Sequence, residues 1–305
     1  MMKKYLVFVF STLVFLFLFS QEVVAKDYWI RSADINVQLN LDGSADITET
    51  RHYYFSESYS WADEWIDLKA KCQKGVPCEN YIVEGVTLSD EEQNYSQSTS
   101  GDVGTYELSQ SEDKLYLRWY YSATDEEKIF TFKYHIQNAI TSHKDTSEFY
   151  WQLIGDGWSK ATEKVYAKIV LPISSPGDQI WAYGHGPLNG TINIVSDSEI
   201  DFQADNLSAN KFFEVRALFP KGNFVNARAG NLTLADIQKQ EKGFAVKTMV
   251  GNFGIIALMI AVAGLIVWRG IYWFVKWFKI GRDKPLPEVN LAGTLHEPPS
   301  DLAPI

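Results

Sequence analysis

The sequence is poor in the residues that build metal and redox sites. It has two cysteines and five histidines in 305 residues. Cys72 and Cys78, in KCQKGVPCEN, have no histidine nearby to complete a tetrahedral zinc site. His52, His135, His143, His185 and His296 fall at no ligand spacing. HExxH, GxSxG, P-loop and GxGxxG patterns are all missing, so the sequence offers no motif for a metallohydrolase, a serine hydrolase or a nucleotide enzyme. No cofactor is expected. Basic charge is scarce as well. Residues 26–252 hold 21 Lys+Arg against 33 Asp+Glu. That balance lacks the basic footprint of a nucleic-acid binder and argues against docking on anionic headgroups.

Long apolar runs are what the chain does have, at its two ends. Lys3 and Lys4 precede an apolar or hydroxyl run over residues 5–19, and Val23-Val24-Ala25 supplies small residues for cleavage. Residues 1–25 therefore read as a secretory signal cut after Ala25, because the run is short for a span of roughly 20 residues. FGIIALMIAVAGLIVW begins at Phe253, and GIYWFV follows Arg269. A helix over residues 253–275 reaches roughly 35 Å at 1.5 Å per residue, enough to cross the hydrocarbon core. Arg269, Lys276, Lys279 and Arg282 anchor it at one surface, with Trp268, Tyr272, Trp273 and Trp277 as an aromatic belt. The basic residues place the tail, 276–305, in the cytoplasm. The expected product is a single-pass protein of the bacterial cell membrane, with the lipid bilayer as one partner and its N-terminal domain outside.

The outer portion, residues 26–232, reads as mainly β, an antiparallel β-sandwich. Ile35, Val37, Leu39 and Leu41 alternate with polar residues, Asp42-Gly43 makes a turn, and an extended run resumes from Ala45 to Phe55. Residues 115–121, 130–136, 149–154, 165–171, 179–183, 191–195, 199–203 and 212–219 are further strands, punctuated by Pro and Gly. Trp119, Trp151 and Trp181 lie in these strands and read as core. Residues 141–145 mark a weak division between two β-lobes, 26–140 and 145–220. The polar stretch 89–112 reads as an exposed loop or a mobile hairpin end. Thr233 and Asp236 have the form of a capping box that opens a stalk over residues 233–252. In an exported domain, Cys72 and Cys78 are expected to form a local disulfide.

Candidate ligand groups are few. Trp61 and Trp65, in YSWADEWIDL, sit among acids and form either a sugar-binding platform or part of the core. Glu148 and Asp156 flank an aromatic strand, and a catalytic carboxylate pair would need them in one cleft. Asp156, in IGDGW, reads more simply as a turn residue. His185, in YGHGP, reads as a turn histidine rather than a ligand or base, because no partner is visible in the sequence.

LYLRWYYSATDEEKIFTFKYHIQNAI, FYWQLIGDGWSKATEKVYAKIVLP and GHGPLNG, with GRDKPLP at 281–287 and HEPPSDLAP at 296–304, resemble the bacterial membrane proteins grouped as domain of unknown function 2207. The resemblance covers nearly all of residues 30–304, with Lys284 where the family usually has proline. It implies an exported β-domain behind a signal, followed by a span, and no known activity. Family members usually continue beyond the PP motif into a cytoplasmic region and further spans. This sequence ends at Ile305 and so resembles the N-terminal half of that architecture, as a natural short form, a frameshifted gene or a partial record. The expected role is non-enzymatic: a structural or partner-binding envelope protein. The rivals are a glycan-binding or glycan-hydrolysing protein and a sensor without its output region.

Overall fold

The computed structural model describes residues 26–71 and 79–281. Ala25, Cys72, Cys78 and Arg282 lie outside these residues, and with them the expected cleavage site, disulfide and one anchoring charge. In chain order the strands are β1 (Asp27–Leu39), β2 (Ala45–Ser56), β3 (Ser58–Asp67), β4 (Val83–Ser89), β5 (Ser96–Gln97), β6 (Thr105–Gln110), β7 (Lys114–Thr124) and β8 (Glu127–Ile136). They continue with β9 (Ile140–Ser142), β10 (Thr146–Ile154), β11 (Thr162–Val170), β12 (Trp181–His185), β13 (Thr191–Ser196), β14 (Glu199–Leu207), β15 (Phe213–Pro220) and β16 (Arg228–Ala229). One helix, α1 (Leu234–Ile280), follows.

The fold is mainly β, as the alternation predicts, but it is divided among three sheets. Seven strands pair in the order β13-β14-β11-β1-β2-β8-β4, five in the order β12-β15-β10-β9-β16, and four in the order β3-β7-β6-β5. The pairing is largely antiparallel, with β1–β11, β5–β6 and β9–β16 parallel. The β1–β11 pair joins the segments 26–140 and 145–220 within one sheet, so residues 141–145 do not separate two independent sheets.

β2 shows how one strand serves two cores. Its alternate residues Ala45, Ile47, Glu49, Arg51, Tyr53 and Phe55 are all buried, so they share one face of the large sheet. Ala45 and Ile47 join a cluster with Phe149, Trp151 and Val215 of the five-stranded sheet. Tyr53 and Phe55 join a second cluster with Trp119, Tyr121 and Phe130, which the four-stranded sheet completes. A bulge between Ile30 and Ser32 shifts the parity of β1, so Ile30 faces the same way as Ala33 and Ile35. Trp119 and Trp151 are core residues, as expected, whereas Trp181 is only partly buried.

Two sequence expectations are corrected. Residues 89–112 are not one exposed loop: they carry β5 and β6, because Tyr95 and Tyr106 fix the polar run to the core. The Tyr106 hydroxyl donates to the Val86 carbonyl at 2.8 Å, and Tyr95 meets Phe130 edge-on. His185 is the last residue of β12 and is buried, rather than sitting in a turn.

The capping box forms: Thr233 Oγ1 accepts from the Asp236 amide at 3.2 Å, and Asp236 Oδ2 accepts from the Thr233 amide at 3.0 Å. The Asp145 carboxylate accepts the Leu234 amide at 2.8 Å, and Ile237 is fully buried. The stalk and the apolar segment are one continuous helix. Within it Gly254–Ile280, with mean hydropathy 2.2, is long and apolar enough to cross a membrane.

Gly43 in the β1–β2 turn has φ +96°, and a Cβ there would lie 3.0 Å from the Ala227 nitrogen. Gly85 also has positive φ, +63°, but nothing within 4 Å of its Cβ position. Gly43→Ala is expected to lower unfolding free energy by about 1–3 kcal/mol, and Gly85→Ala by only about 1 kcal/mol. Urea unfolding of the two variants in detergent checks the difference.

Candidate functional site

β3 is an edge strand, paired only with β7. Its sequence SYSWADEWID alternates: Glu64 and Ile66 are buried, while Trp61 and Trp65 are 49% and 52% exposed. Facing this strand are the start of β1 and the loop after β10, residues 155–159. Together they enclose a cleft of about 470 Å³. Among the residues that line it are the aromatics Trp61, Trp65, Tyr59, Tyr28 and Trp158 and the charged Asp63, Asp67, Asp156, Lys26 and Lys114. Tyr53, Phe55, Tyr121 and Glu64 are its buried members.

Each of the five rings carries one of the protein's own cations. Lys26 lies 4.1 Å from the Tyr59 centroid, Arg118 4.5 Å from Trp61 and Lys114 5.6 Å from Trp65. Arg51 lies 4.1 Å from Trp158 and Lys160 5.7 Å from Tyr28. These contacts fix ring orientation. Asp63 is also engaged, accepting from the Tyr116 hydroxyl at 2.7 Å and from Arg118 at 3.4 Å.

Behind the cleft sits a buried ion triad. Arg51 is fully buried, and Glu49 and Glu64 are 2% and 7% exposed. Arg51 donates from Nε to Glu49 and from Nη2 to Glu64, the latter at 2.8 Å. Burial works against the guanidinium charge, but Glu49 and then Glu64 more than offset it and hold the Arg51 pKa above its ordinary value. One cation cannot fully compensate two buried carboxylates. Burial, and the Glu49 charge beside it, push Glu64 up to about 8 against the attraction of Arg51. Glu49 is raised as well, chiefly by burial. The Tyr53 hydroxyl, beside this triad on β2, has no hydrogen-bond partner among the described residues, and neither does Arg51 Nη1.

The platform residues Trp61 and Trp65 are thus brought together on one wall, with Asp156 in the lining. Glu148 belongs to different surroundings. It takes His143 Nε2 at 2.6 Å and Arg216 Nε, and these partners hold its pKa below the usual range despite burial. Asp156 lines the cleft and Glu148 does not, so the cleft does not bring the two carboxylates together. His185 lies against Tyr150, with Nδ1 3.4 Å from its hydroxyl, and Tyr150 donates to Glu214 at 3.0 Å. Arg269, Lys276 and Lys279 lie in exposed turns of α1, with Lys276 5.3 Å from the Trp273 ring. Among the described residues no group of three or more His, Cys, Asp or Glu is placed to hold a metal ion.

Sequence reasoning passed over Arg51, Glu49, Glu64, Tyr53 and Trp158. A signal for the triad was present. Glu49 and Arg51 occupy the inward parity of β2 between Ile47 and Tyr53, where alternation demands apolar residues.

The folded chain holds the Glu64 proton to about pH 8, whereas the unfolded chain releases it near the ordinary glutamate value of about 4.5. This group's contribution to stability is full below that lower value and declines as pH rises toward about 8. Glu64→Gln is expected to remove this part of the decline. Arg51→Met, which leaves the buried Glu49 and Glu64 carboxyl groups without their cation, should cost about 3–5 kcal/mol toward pH 8.5 and less at pH 4.5, where burial favours the protonated carboxyls. Denaturant unfolding from pH 4.5 to 8.5 measures both.

The family described as predicted membrane protein (DUF2207), N-terminal domain, matches residues 29–219. No curated protein matches the sequence. Among solved structures, a protein described as nutrient-binding from Legionella pneumophila aligns with 63% of this chain and 67% of its own, at 8% identity and TM-score 0.39. A yeast LTA4 hydrolase in complex with bestatin aligns with 65% of this chain and 31% of its own, at 9% identity and TM-score 0.39. A zinc metallopeptidase from Deinococcus radiodurans aligns with 62% and 42%, at 10% identity and TM-score 0.32. Likenesses this slight do not bear on what the chain does.

Proposed function

We propose that this chain, which belongs to the DUF2207 family of predicted membrane proteins, is a single-pass envelope protein whose outer β-domain holds an envelope partner in the cleft along β3. The N-terminal apolar run with its Lys3-Lys4 start supports export, and the basic residues after Trp268 support a cytoplasmic C-terminal side. The observation that carries the binding reading is the cleft itself. Trp61 and Trp65 keep half their surface open, and Tyr53, whose buried hydroxyl has no partner among the described residues, lines the same cleft. Exposed aromatics and a few convergent polar groups in one concavity are what a binding site needs.

Binding is favoured over catalysis because two of the acids on β3 beside the aromatic wall are committed. Asp63 is held by Tyr116 and Arg118, and Glu64 by Arg51. A hydrolytic reading would make Glu64 the general acid. That role needs a carboxyl free to reach the scissile oxygen, whereas Glu64 is 7% exposed and bonded to a guanidinium.

A photo-crosslinking benzophenone side chain at Ser60, which lines the cleft, is expected to capture an envelope component in native membranes. The same group at Ile194, on the far edge of the seven-stranded sheet, should not. Equal labelling from the two positions, or none from Ser60, would refute the cleft as the binding site. External protease should degrade residues 26–252 in cells whose outer barrier has been opened; protection of that portion would overturn the topology.

A further inference from the structure

We propose that the occupant of the β3 cleft is a short, neutral pyranose oligosaccharide. This rests on the cleft being a binding site, as argued above, and goes on to the chemistry of what fits.

Three alternatives are disfavoured by the geometry. An extended peptide would add to the open edge of β3 by backbone pairing. That edge is broken by a bulge between Tyr59 and Trp61. Further along, the backbone of Gly155 closes on it: a Cβ there would lie 3.6 Å from the Trp65 carbonyl oxygen. A new strand needs about 4.7–4.9 Å of clear spacing along its length, and these features leave no straight stretch for it. A cationic ligand would seek the faces of the rings, but each ring already holds a lysine or arginine of the protein. An anionic ligand would meet Asp67 and Asp156 in the same lining as Lys26 and Lys114.

What remains is a neutral ligand with an apolar face for stacking and hydroxyls that both donate and accept. A pyranose ring has that make-up. Arg118 lies against Trp61, Lys114 and Tyr116 (at 4.4 Å) lie against Trp65, and both rings keep about half their area open. They can stack on sugar C–H faces. Tyr53 is 2% exposed and is one of the residues that line the cleft, and its buried hydroxyl has no partner among the described residues. A buried hydroxyl left unmatched is costly, and a sugar hydroxyl would satisfy it. The cleft's volume, about 470 Å³, suits a few sugar rings and is too small for a folded domain.

The test is calorimetric titration of the full chain in lipid nanodiscs, which avoids sugar-headed detergents. The probes are the tetrasaccharides of N-acetylglucosamine, cellulose and maltose, with an uncharged tetrapeptide for comparison. At least one tetrasaccharide is expected to bind. Trp61→Ala and Trp65→Ala should each weaken it roughly three- to tenfold. Tyr53→Phe should weaken it roughly two- to tenfold while leaving the unliganded protein at least as stable, since it removes an unpartnered hydroxyl. That pairing of weaker binding with unchanged melting is not expected of a merely structural tyrosine. Absence of binding to all three sugars, binding untouched by the three substitutions, or preference for the tetrapeptide would each overturn the proposal. If Ser60 crosslinks to a polypeptide while no sugar binds, the cleft remains a binding site and only the glycan assignment falls.

Discussion

A single guanidinium sets the direction in which the parts of the outer domain meet. Arg51 lies where two hydrophobic cores abut on one face of the seven-stranded sheet. It bonds Glu49 on its own strand and Glu64 on β3, and it stacks on Trp158 of the loop after β10. The four-stranded sheet shares no backbone ladder with the other two. Packing of the aromatic cluster holds it in place, and this charge contact fixes its position. Apolar side chains of the same volume would stabilise the junction as well or better, since buried ion pairs seldom recover their desolvation cost. What the triad adds is direction: a guanidinium satisfies only partners that arrive at the correct angles.

That direction matters for the cleft. β3 with Trp61 and Trp65 and the loop with Trp158 both line it. Arg51 contacts both, through Glu64 on one side and the Trp158 ring on the other, so it sets the gap between them. The rim cations extend the same device outward. Arg118 holds Asp63 while stacking on Trp61, and Lys114 lies over Trp65. A surface ion pair contributes little to stability. Spread over aromatic rings, these cations serve instead to restrict which way the rings point, and a pre-oriented ring loses less entropy when a ligand arrives.

The alternating strands were legible because burial on one face writes a period of two into the sequence, and β2, β7 and β8 show it along most of their length. The division into three sheets was not, because period two says nothing about which strand pairs with which. β7 and β8 adjoin in sequence with Asp125 between them at φ +52°, the pattern of a hairpin, yet they enter different sheets. The polar run 89–112 misled because two tyrosines in it carry most of its burial. Trp61 and Trp65 were recognisable as candidates from their acidic setting, but composition cannot show that rings stay half open. Tyr53 reads as one more core aromatic, and only its unmet hydroxyl in the fold sets it apart.

The same logic of charge and burial bears on the helix. No charged residue occurs between Lys247 and Arg269, a stretch of residues 248–268 that spans roughly 31 Å at 1.5 Å per residue. The hydrocarbon core is about 30 Å thick, so this charge-free stretch alone matches it. Any register moved toward the C-terminus draws Arg269 into the apolar layer and must let it snorkel. The turns beyond Arg269 then carry Tyr272, Trp273, Trp277, Lys276 and Lys279, a mixture of rings and cations suited to the headgroup zone rather than to lipid tails. Residues 253–275 thus comprise two parts, and Arg269 divides them: an apolar length that fits the bilayer, and an aromatic, basic length that fits its surface.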